Sequence, residues 1–525
     1  MKKQNKQRVE KVHEEYGTAE AYYSSNETVR TSMEGEWRDA SQLTLPYIFP
    51  VDLKDQSSIL PTPYNSIGPN AVNTLASKLL LALLPPTGVF FRLLPNQELT
   101  SKLDEKALKE LDSDLSNLEQ SVVEYINQKA LRVPVYEAVK SLIVTGNSML
   151  YKVPGGSLKV FSPYQYVVKR DYVGNVLTAA IKEKISIQAL PEDIQKLIED
   201  KEGTSHIQHE ASEVAETDTK HIYTMIVRED MDKYKVWQEV DKIVIPNSEK
   251  TYTKATLPYI ILRWTAVNNE DYGRGLVSQY LGDLRSLEGL TQTIVEGAGI
   301  SAMHLFGLRP GSTLKVEDLN NAANGEFVLG DLEREVSTLQ VNKGADLQVP
   351  LNLMAQLEQR LAKAFLMLSG QVRDSERTTA TEVRATAAEL ESTLGGIFSV
   401  LAAEFQTPLI TLILHELNPR VLKIAEPSVT TGVAAISRER DFQNLNTMLQ
   451  SIAQLGPEVI AEYLDVPAYL KQVATSLGMD GEAIVKSKEQ REAEQQQQMQ
   501  QQQAMQQQEM QQQMQLDNNK AQGGK

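Results

Sequence analysis

One stretch constrains the fold of this chain more than any other: residues 280–306 read as a single helix crowded with small residues. At 1.5 Å per residue such a helix is roughly 40 Å long. It carries Gly282, Gly289, Gly297, Ala298, Gly299, Ser301 and Ala302. Each interior glycine costs about 1 kcal/mol relative to alanine, so keeping several needs a reason. Close approach of a neighbour, a bend, or tight packing inside its own subunit would each supply one. A strand-and-turn insert follows to about residue 347, with turn signals at Pro310-Gly311 and Asn324-Gly325. A second helix then spans 351–369, with Met354, Leu357, Leu361, Phe365 and Leu368 along one face. Helix, insert and returning helix make a long hairpin with a head. That shape suits an assembly part better than an enzyme pocket.

The chain before this hairpin reads as an α+β domain. Residues 1–45 are helical, with Trp37 and Leu43 as anchors, and 45–63 is a proline-broken connector. Helices follow at 70–84, 103–131 and 135–145; the second is amphipathic through Leu108, Leu111, Leu115, Leu118, Val122 and Ile126. At Met149 the apolar period changes to two. Strands at 149–153 and 158–161 flank Pro154-Gly155-Gly156, a hairpin signal, and 166–169 with 176–180 makes another. A short helix at 190–200, a polar surface loop at 203–220 and strands at 221–227 and 234–245 complete the domain.

After the hairpin, Gly370 to Thr378 is a polar break, and Thr379 with Glu382 forms a capping box for a third helix. That helix passes Gly395-Gly396 and Pro408, so a bend is expected, and it ends before Pro419. Shorter helices occupy 437–485. From Lys486 the chain is glutamine blocks interrupted by Met499, Met505, Met510 and Met514, which cannot bury a core.

Few chemistries survive a search of the sequence. There is no cysteine, which removes disulfides, thiolate catalysis and cysteine-bound metals. No Gly-x-x-x-x-Gly-Lys-Ser/Thr cradle is present, against a motor ATPase, and Gly273-Arg274-Gly275 lacks the third glycine of a dinucleotide fingerprint. His206 and His209 have a ligand-like spacing without an organised frame; His13, His221, His304 and His415 are scattered, with no nucleophile elbow. The expectation is no catalytic residue, no metal and no cofactor. Sixty-nine acidic residues against fifty-three basic ones give a net charge of −16. A bulk nucleic-acid binder carries a basic surplus, so any DNA contact here is local or is a passage across a repelling wall. The most apolar run, 79–84, is far shorter than the roughly 20 residues that span a bilayer. Residues 1–11 are basic and polar without an apolar core behind them. No membrane span or export signal is expected.

The stretch Tyr272-Gly273-Arg274-Gly275 through Tyr280-Leu281-Gly282-Asp283-Leu284-Arg285-Ser286-Leu287-Glu288 resembles the portal proteins, or head-to-tail connectors, of short-tailed phages of the autographivirus type. Leu75-Ala76-Ser77-Lys78-Leu79 ahead of Leu81-Ala82-Leu83 is similar to that family, as are Ala189-Leu190-Pro191-Glu192-Asp193-Ile194 and the segment 391–398 with Leu394-Gly395-Gly396. The likeness is collinear over roughly residues 15–480. The glutamine–methionine tail departs from it.

The resemblance implies an α+β, predominantly helical portal-type fold and a ring, generally of twelve subunits, at one capsid vertex. It implies a wing from 1–275 with 390–435 packed on it, stem helices at 276–305 and 350–369, and a clip at 306–349. A channel loop and the start of a long helix would occupy 370–389, and a crown 437–485, leaving 486–525 as a disordered tail. Double-stranded DNA would pass through the ring during packaging and ejection. Partners would be the terminase, which does the hydrolysis, a tail adaptor, capsid and scaffolding proteins and internal core proteins. The protein would assemble in the bacterial host cytoplasm and reside in the virion. On this reading Gly289, Gly297 and Gly299 lie at stem subunit contacts. Arg309, Lys315, Glu333, Arg334 and Glu335 form a polar clip surface for terminase and adaptor, and Arg373 and Arg377 face DNA. A packaging nuclease or ATPase, and a tail adaptor or internal scaffold protein without a channel, are the rival readings.

Overall fold

The fold begins with a capped helix. In the computed structural model, Thr18 accepts the Ala21 amide at 3.3 Å and opens α1, Ala19–Gln42. The structure describes residues 17–50, 60–86, 89–96, 105–190, 192, 194–195, 219–302, 304–312, 314–323, 327, 329, 331–340, 344–367, 390, 392–394, 396–429 and 469–470. Ile67–Leu83 is α2, Phe91–Pro95 is β1, Glu105–Gln128 is α3 and Arg132–Thr145 is α4. A run of strands follows: β2 Asn147–Lys152, β3 Leu158–Phe161, β4 Tyr166–Arg170, β5 Val176–Ser186, β6 Thr219–Asp230, β7 Lys233–Val240, β8 Ile243–Val244, β9 Lys250–Thr253 and β10 Tyr259–Arg263. Then come α5 Leu276–Gln279, α6 Leu281–Ala302, β11 His304–Leu308, α7 Val316–Asn321, α8 Leu332–Glu335, β12 Val336–Gln340 and α9 Gly344–Ala364. The described chain closes with α10 Gly396–Leu401, a π-helical turn at Ala402–Gln406, α11 Thr407–Leu417 and β13 Ala425–Val429.

The strands make an antiparallel sheet in the order β4-β5-β6-β7-β8, with β9 also on β7, and a three-stranded sheet β10-β2-β3. Two small pairs, β1-β13 and β11-β12, stand apart from these. The architecture is α+β. The expected stripe on α3 does go inward: Leu115, Val122 and Ile126 are buried with α2, α4 and α11 in the largest core cluster. The sheet packs on α1 through Trp37, Phe49, Tyr166 and Tyr272. Arg30 is buried there as well, and its guanidinium donates to the Tyr164 and Tyr166 carbonyls at 2.9 Å while Glu27 and Glu34 flank it.

Several boundaries differ from the sequence expectation. The helix expected over 280–306 stops at Ala302, because His304–Leu308 pairs with Val336–Gln340, Phe306 opposite Thr338. The return helix starts at Gly344 and takes Pro350 inside it, at the cost of one backbone hydrogen bond. It ends at Ala364 rather than Ser369. Near Pro408, where a bend is expected, the helix takes a π turn: the Thr407 amide reaches back to the Ala402 carbonyl just before the proline, which has no amide to give. Ser399–Leu417 is apolar over a longer span than 79–84, enough by length and composition to cross a membrane. Leu409, Ile410, Ile413 and Leu414 are nonetheless buried in the protein core, so it reads as a core helix. The expected loop at 203–220 lies outside the described residues as far as 218, and its last two residues instead open β6; the break at 370–378, the capping box at 379–382, the crown and the tail lie outside the described residues, apart from 469–470 within the crown.

Candidate functional site

The segment Tyr272–Glu288 is where the sheets, α1 and the helical hairpin meet. Its glycines allow backbone to touch backbone. A Cβ on Gly273 would lie 2.6 Å from the Gly146 carbonyl oxygen, and one on Gly275 would lie 2.6 Å from the Val144 carbonyl oxygen. Asn147 stitches the same contact: its side chain accepts the Gly273 amide at 2.8 Å and donates to the Gly273 carbonyl at 2.9 Å. Tyr272 sits edge-on to Trp37, ring centroids 5.4 Å apart, and burial pushes its phenol well above the ordinary range. Arg274 pairs with Glu270 at 2.7 Å and with Glu36 of α1 at 2.6 Å. The bond from Arg274 holds the Glu270 carboxyl below its usual range.

The next turns divide their labour by helical face. Leu281, Leu284 and Leu287 are buried toward Leu357 and Leu361 of α9 and Phe365 just past its end, and each fully buried leucine contributes about 1.5–3 kcal/mol. The polar residues between them each hold a different element. Asp283 pairs with Arg360 of α9 at 2.7 Å, and Arg285 pairs with Asp39 of α1. The Glu288 carboxylate accepts the Tyr64 and Asn65 amides at 2.7 and 3.1 Å. Asn65 in turn donates to Thr291 and Glu358, both at 3.1 Å. So the chain leading into α2 is strapped across both arms of the hairpin. Glu288→Ala leaves two amides without that carboxylate and should lower unfolding free energy by about 1–2 kcal/mol. Denaturant unfolding measures this; a value within about 0.3 kcal/mol of the parent would show the strap to be idle.

The third face of α6 is open. Among the described residues, and apart from their own helix backbone and chain neighbours, nothing lies within 4 Å of where a Cβ on Gly282, Gly289 or Gly299 would stand. Packing among the described residues therefore does not explain these three glycines. Gly297 is half-buried. Farther along the hairpin, apolar side chains face outward: Val295 is 55 % exposed and Val349 73 %. In the insert, Arg309, Lys315, Glu333 and Arg334 are exposed. Arg334 lies 3.8 Å from Asp331. Glu335 is half-buried and accepts the Ser312 hydroxyl at 2.6 Å, so it holds the Arg309–Ser312 turn as well as facing solvent. Arg373 and Arg377 lie outside the described residues.

Among the described residues no group of three His, Asp or Glu side chains is placed to hold a metal ion. Sequence reasoning missed Lys78, Asp283, Glu288, Asn147 and Arg360 as organising residues. Lys78 did give a signal, as a lone cation inside the apolar run of α2. Asn147 and Gly273 are 126 residues apart, and no local pattern announces such a pair.

The chain matches the family described as bacteriophage head to tail connecting protein over residues 17–485. It is 35 % identical over 487 residues to the portal protein of Escherichia phage T7, covering 90 % of this chain and 89 % of that one. The portal protein of Enterobacteria phage T3 is 34 % identical over 486 residues, with the same coverage of each. Among solved structures, the neck of an empty GTA particle computed with C6 symmetry is similar at a TM-score of 0.36 and 12 % identity, covering 73 % of this chain and 86 % of that one.

Proposed function

This chain belongs to the bacteriophage head-to-tail connecting protein family and is a phage portal protein, and from that premise we propose that it works as a ring, of twelve subunits, whose axial channel carries double-stranded DNA. Within the ring, 1–275 with 390–435 forms the wing, 276–305 and 350–369 the stem, 306–349 the clip, 370–389 the channel loop with the start of a long helix, and 437–485 the crown. The observation that carries this reading is the helical hairpin. Its two arms bury Leu281, Leu284 and Leu287 with Leu357 and Leu361 in one core cluster, while Gly282, Gly289 and Gly299 stand open and Val295 and Val349 are exposed. Exposed apolar surface on a projecting arm is characteristic of an assembly interface. Electron microscopy of the purified protein tests it directly: thick-walled rings with an axial hole support the reading, and monomers or solid particles at high concentration would end it.

The protein is a structural component of the virion, joining head and tail; terminase, tail adaptor, scaffolding and core proteins are its proposed partners. The clip supplies a reversible, polar docking surface through Arg309, Lys315, Glu333 and Arg334, with Glu335 shaping the turn beneath. Polar, charged surfaces suit transient contacts better than permanent ones. Arg334→Glu should leave rings intact while cutting packaged DNA or tailed particles at least tenfold. Unchanged titres from that variant would remove Arg334 from the docking surface.

Arg373, with Arg377 beside it, contacts phosphate in the channel. A single exposed arginine contributes only about 0–1 kcal/mol through a salt bridge, but a ring repeats it, and each phosphate contact adds a salt-sensitive increment. The chain as a whole carries a net charge of −16 and so no basic surplus that would hold phosphate tightly. Arg373→Ala should preserve rings and particles but reduce genome retention several-fold, with a larger loss at raised salt. Variant capsids that hold DNA like the parent would exclude Arg373.

A further inference from the structure

The larger sheet ends in two neighbouring hairpin turns that put apolar side chains into solvent. Between β4 and β5, Tyr172 is 96 % exposed and Val173 67 %; between β6 and β7, Met231 is 84 % exposed. Strands β5 and β6 pair antiparallel from Thr178 opposite Val227, so both turns lie at the same end of the sheet. Single exposed apolar residues are ordinary on a protein surface, but three gathered at one sheet end mark an interaction site.

Both turns are braced from below. The Asp171 carboxylate accepts the Val173 and Asn175 amides at 3.0 and 2.8 Å and pairs with Arg228 of β6 at 3.0 Å. Arg170 donates to the Gly174 carbonyl at 2.9 Å, and Arg263 of β10 reaches the same oxygen at 3.5 Å. Lys254, just after β9, ties one turn to the other: its amide donates to the Asp232 carbonyl at 3.0 Å and its ammonium to the Asn175 side chain at 3.4 Å. Turns fixed before contact lose less entropy on binding, and an exposed tyrosine on such a turn is a natural anchor for a partner.

Charge is divided between the two turns. Under Tyr172 and Val173 stand Arg170, Arg263 and Lys254, whose side-chain hydrogen bonds end on carbonyl and amide oxygens rather than on carboxylates. Of the carboxylates on that side, Asp171 is held by Arg228, Asp271 accepts the Arg170 amide, and Glu404 acts on Arg170 across a gap. Lys254 is exposed and Arg263 half-buried, so both can still take a carboxylate from outside. Beside Met231 the balance reverses: Glu229, Asp230 and Asp232 are exposed, with Lys233 as the cation among them. A polyanion such as DNA would be repelled there, so the occupant is a protein. A second copy of this chain is disfavoured at its cavity of about 450 Å³ between α5, α9 and residues 393–397, because Arg360 and Lys363 line it and would face Arg263 and Lys254.

We propose that this sheet end is a docking knob for a different protein. The partner's face offers an apolar groove for Tyr172, Val173 and Met231, a carboxylate for Arg263 and Lys254, and a lysine or arginine for Asp230 and Asp232. Such complementary charge fixes orientation and excludes wrong partners. That the partner is met in the virion rests on the portal reading above. Ring formation by the parent tests that reading, and the knob is scored apart from it.

Particles are assembled with p-benzoylphenylalanine in place of Tyr172, irradiated, and the cross-linked peptides sequenced by mass spectrometry. The expected product joins residue 172 to a different polypeptide, at a segment carrying Asp or Glu. Lys254→Glu, a change at an exposed residue, should cut that product at least fivefold. The Tyr172→Ser, Met231→Ser double variant should keep native circular dichroism and form rings, while complete particles fall at least tenfold. Cross-links between two copies of this chain, cross-links to DNA, or no product would each overturn the proposal. So would a product that Lys254→Glu leaves unchanged. A double variant that loses its rings would make this surface a subunit contact instead, and one that yields particles like the parent would show that nothing docks there.

Discussion

Gly299→Leu should leave the protomer folded and abolish the ring. The two halves of that result have separate causes. Among the described residues of the subunit, outside its own helix backbone, a Cβ at residue 299 meets nothing within 4 Å, and replacing a helical glycine with leucine favours the helix by close to 1 kcal/mol. Unassembled chain should therefore unfold no earlier than the parent, and by propensity slightly later. In a ring, a glycine with open space on its own subunit is where a neighbouring backbone can approach, and a leucine side chain fills that space. A cyclic assembly repeats the clash at every interface, so a modest penalty per contact accumulates around the circle. Mass photometry should show the ring population falling at least tenfold, while circular dichroism shows native helix content. Gly289→Leu, at a second position where the described residues leave open space, should behave alike. Normal rings from both variants would mean that this face looks away from the neighbour.

The sequence carried the long-range plan of this fold better than its joints. The leucine stripe of α3, the Pro154-Gly155-Gly156 turn between β2 and β3, and the helix–insert–helix hairpin were all legible, because periodicity and turn chemistry are local. Element ends were less so. Ala302 ends α6 where residues 304–308 find a strand partner about thirty residues away, and α9 ends where Leu366, at positive φ, accepts from Lys78, 288 residues earlier in the chain. Neither partner lies within the window that a helical pattern occupies. The candidate site divides in the same manner. The charged residues of the insert were legible as exposed polar surface, but the bond from Ser312 to Glu335 was not. The Tyr272-Gly273-Arg274-Gly275 run stood out as a resemblance, while the reason for its glycines appears only when Gly146 is brought against them.

That contact leads to the other large effect. Gly146→Val should prevent the protein from folding to a soluble state at ordinary temperature, or lower its unfolding free energy by about 4 kcal/mol or more, a loss reached only through strain or core disruption. Gly146 caps α4 with φ +79°, its amide on the Leu142 carbonyl. A β-branched residue in that region is a steric outlier. Overlap costs more than the torsion does: the added carbon would stand 2.6 Å from the Gly273 carbonyl oxygen, which is backbone and cannot swing aside. Moving Gly273 away would break its two hydrogen bonds with Asn147 and disturb Tyr272 and Arg274 on either side. Gly155→Ala separates torsion from overlap. That glycine also has positive φ, +65°, but among the described residues, its chain neighbours apart, nothing lies within 4 Å of its would-be Cβ. It should lose only the torsional share, on the order of 1 kcal/mol. Thermal and denaturant unfolding of both variants would decide the matter. If Gly146→Val unfolds within about 1 kcal/mol of Gly155→Ala, the backbone contact at Gly273 yields easily, and the junction between sheet and hairpin is looser than its geometry implies.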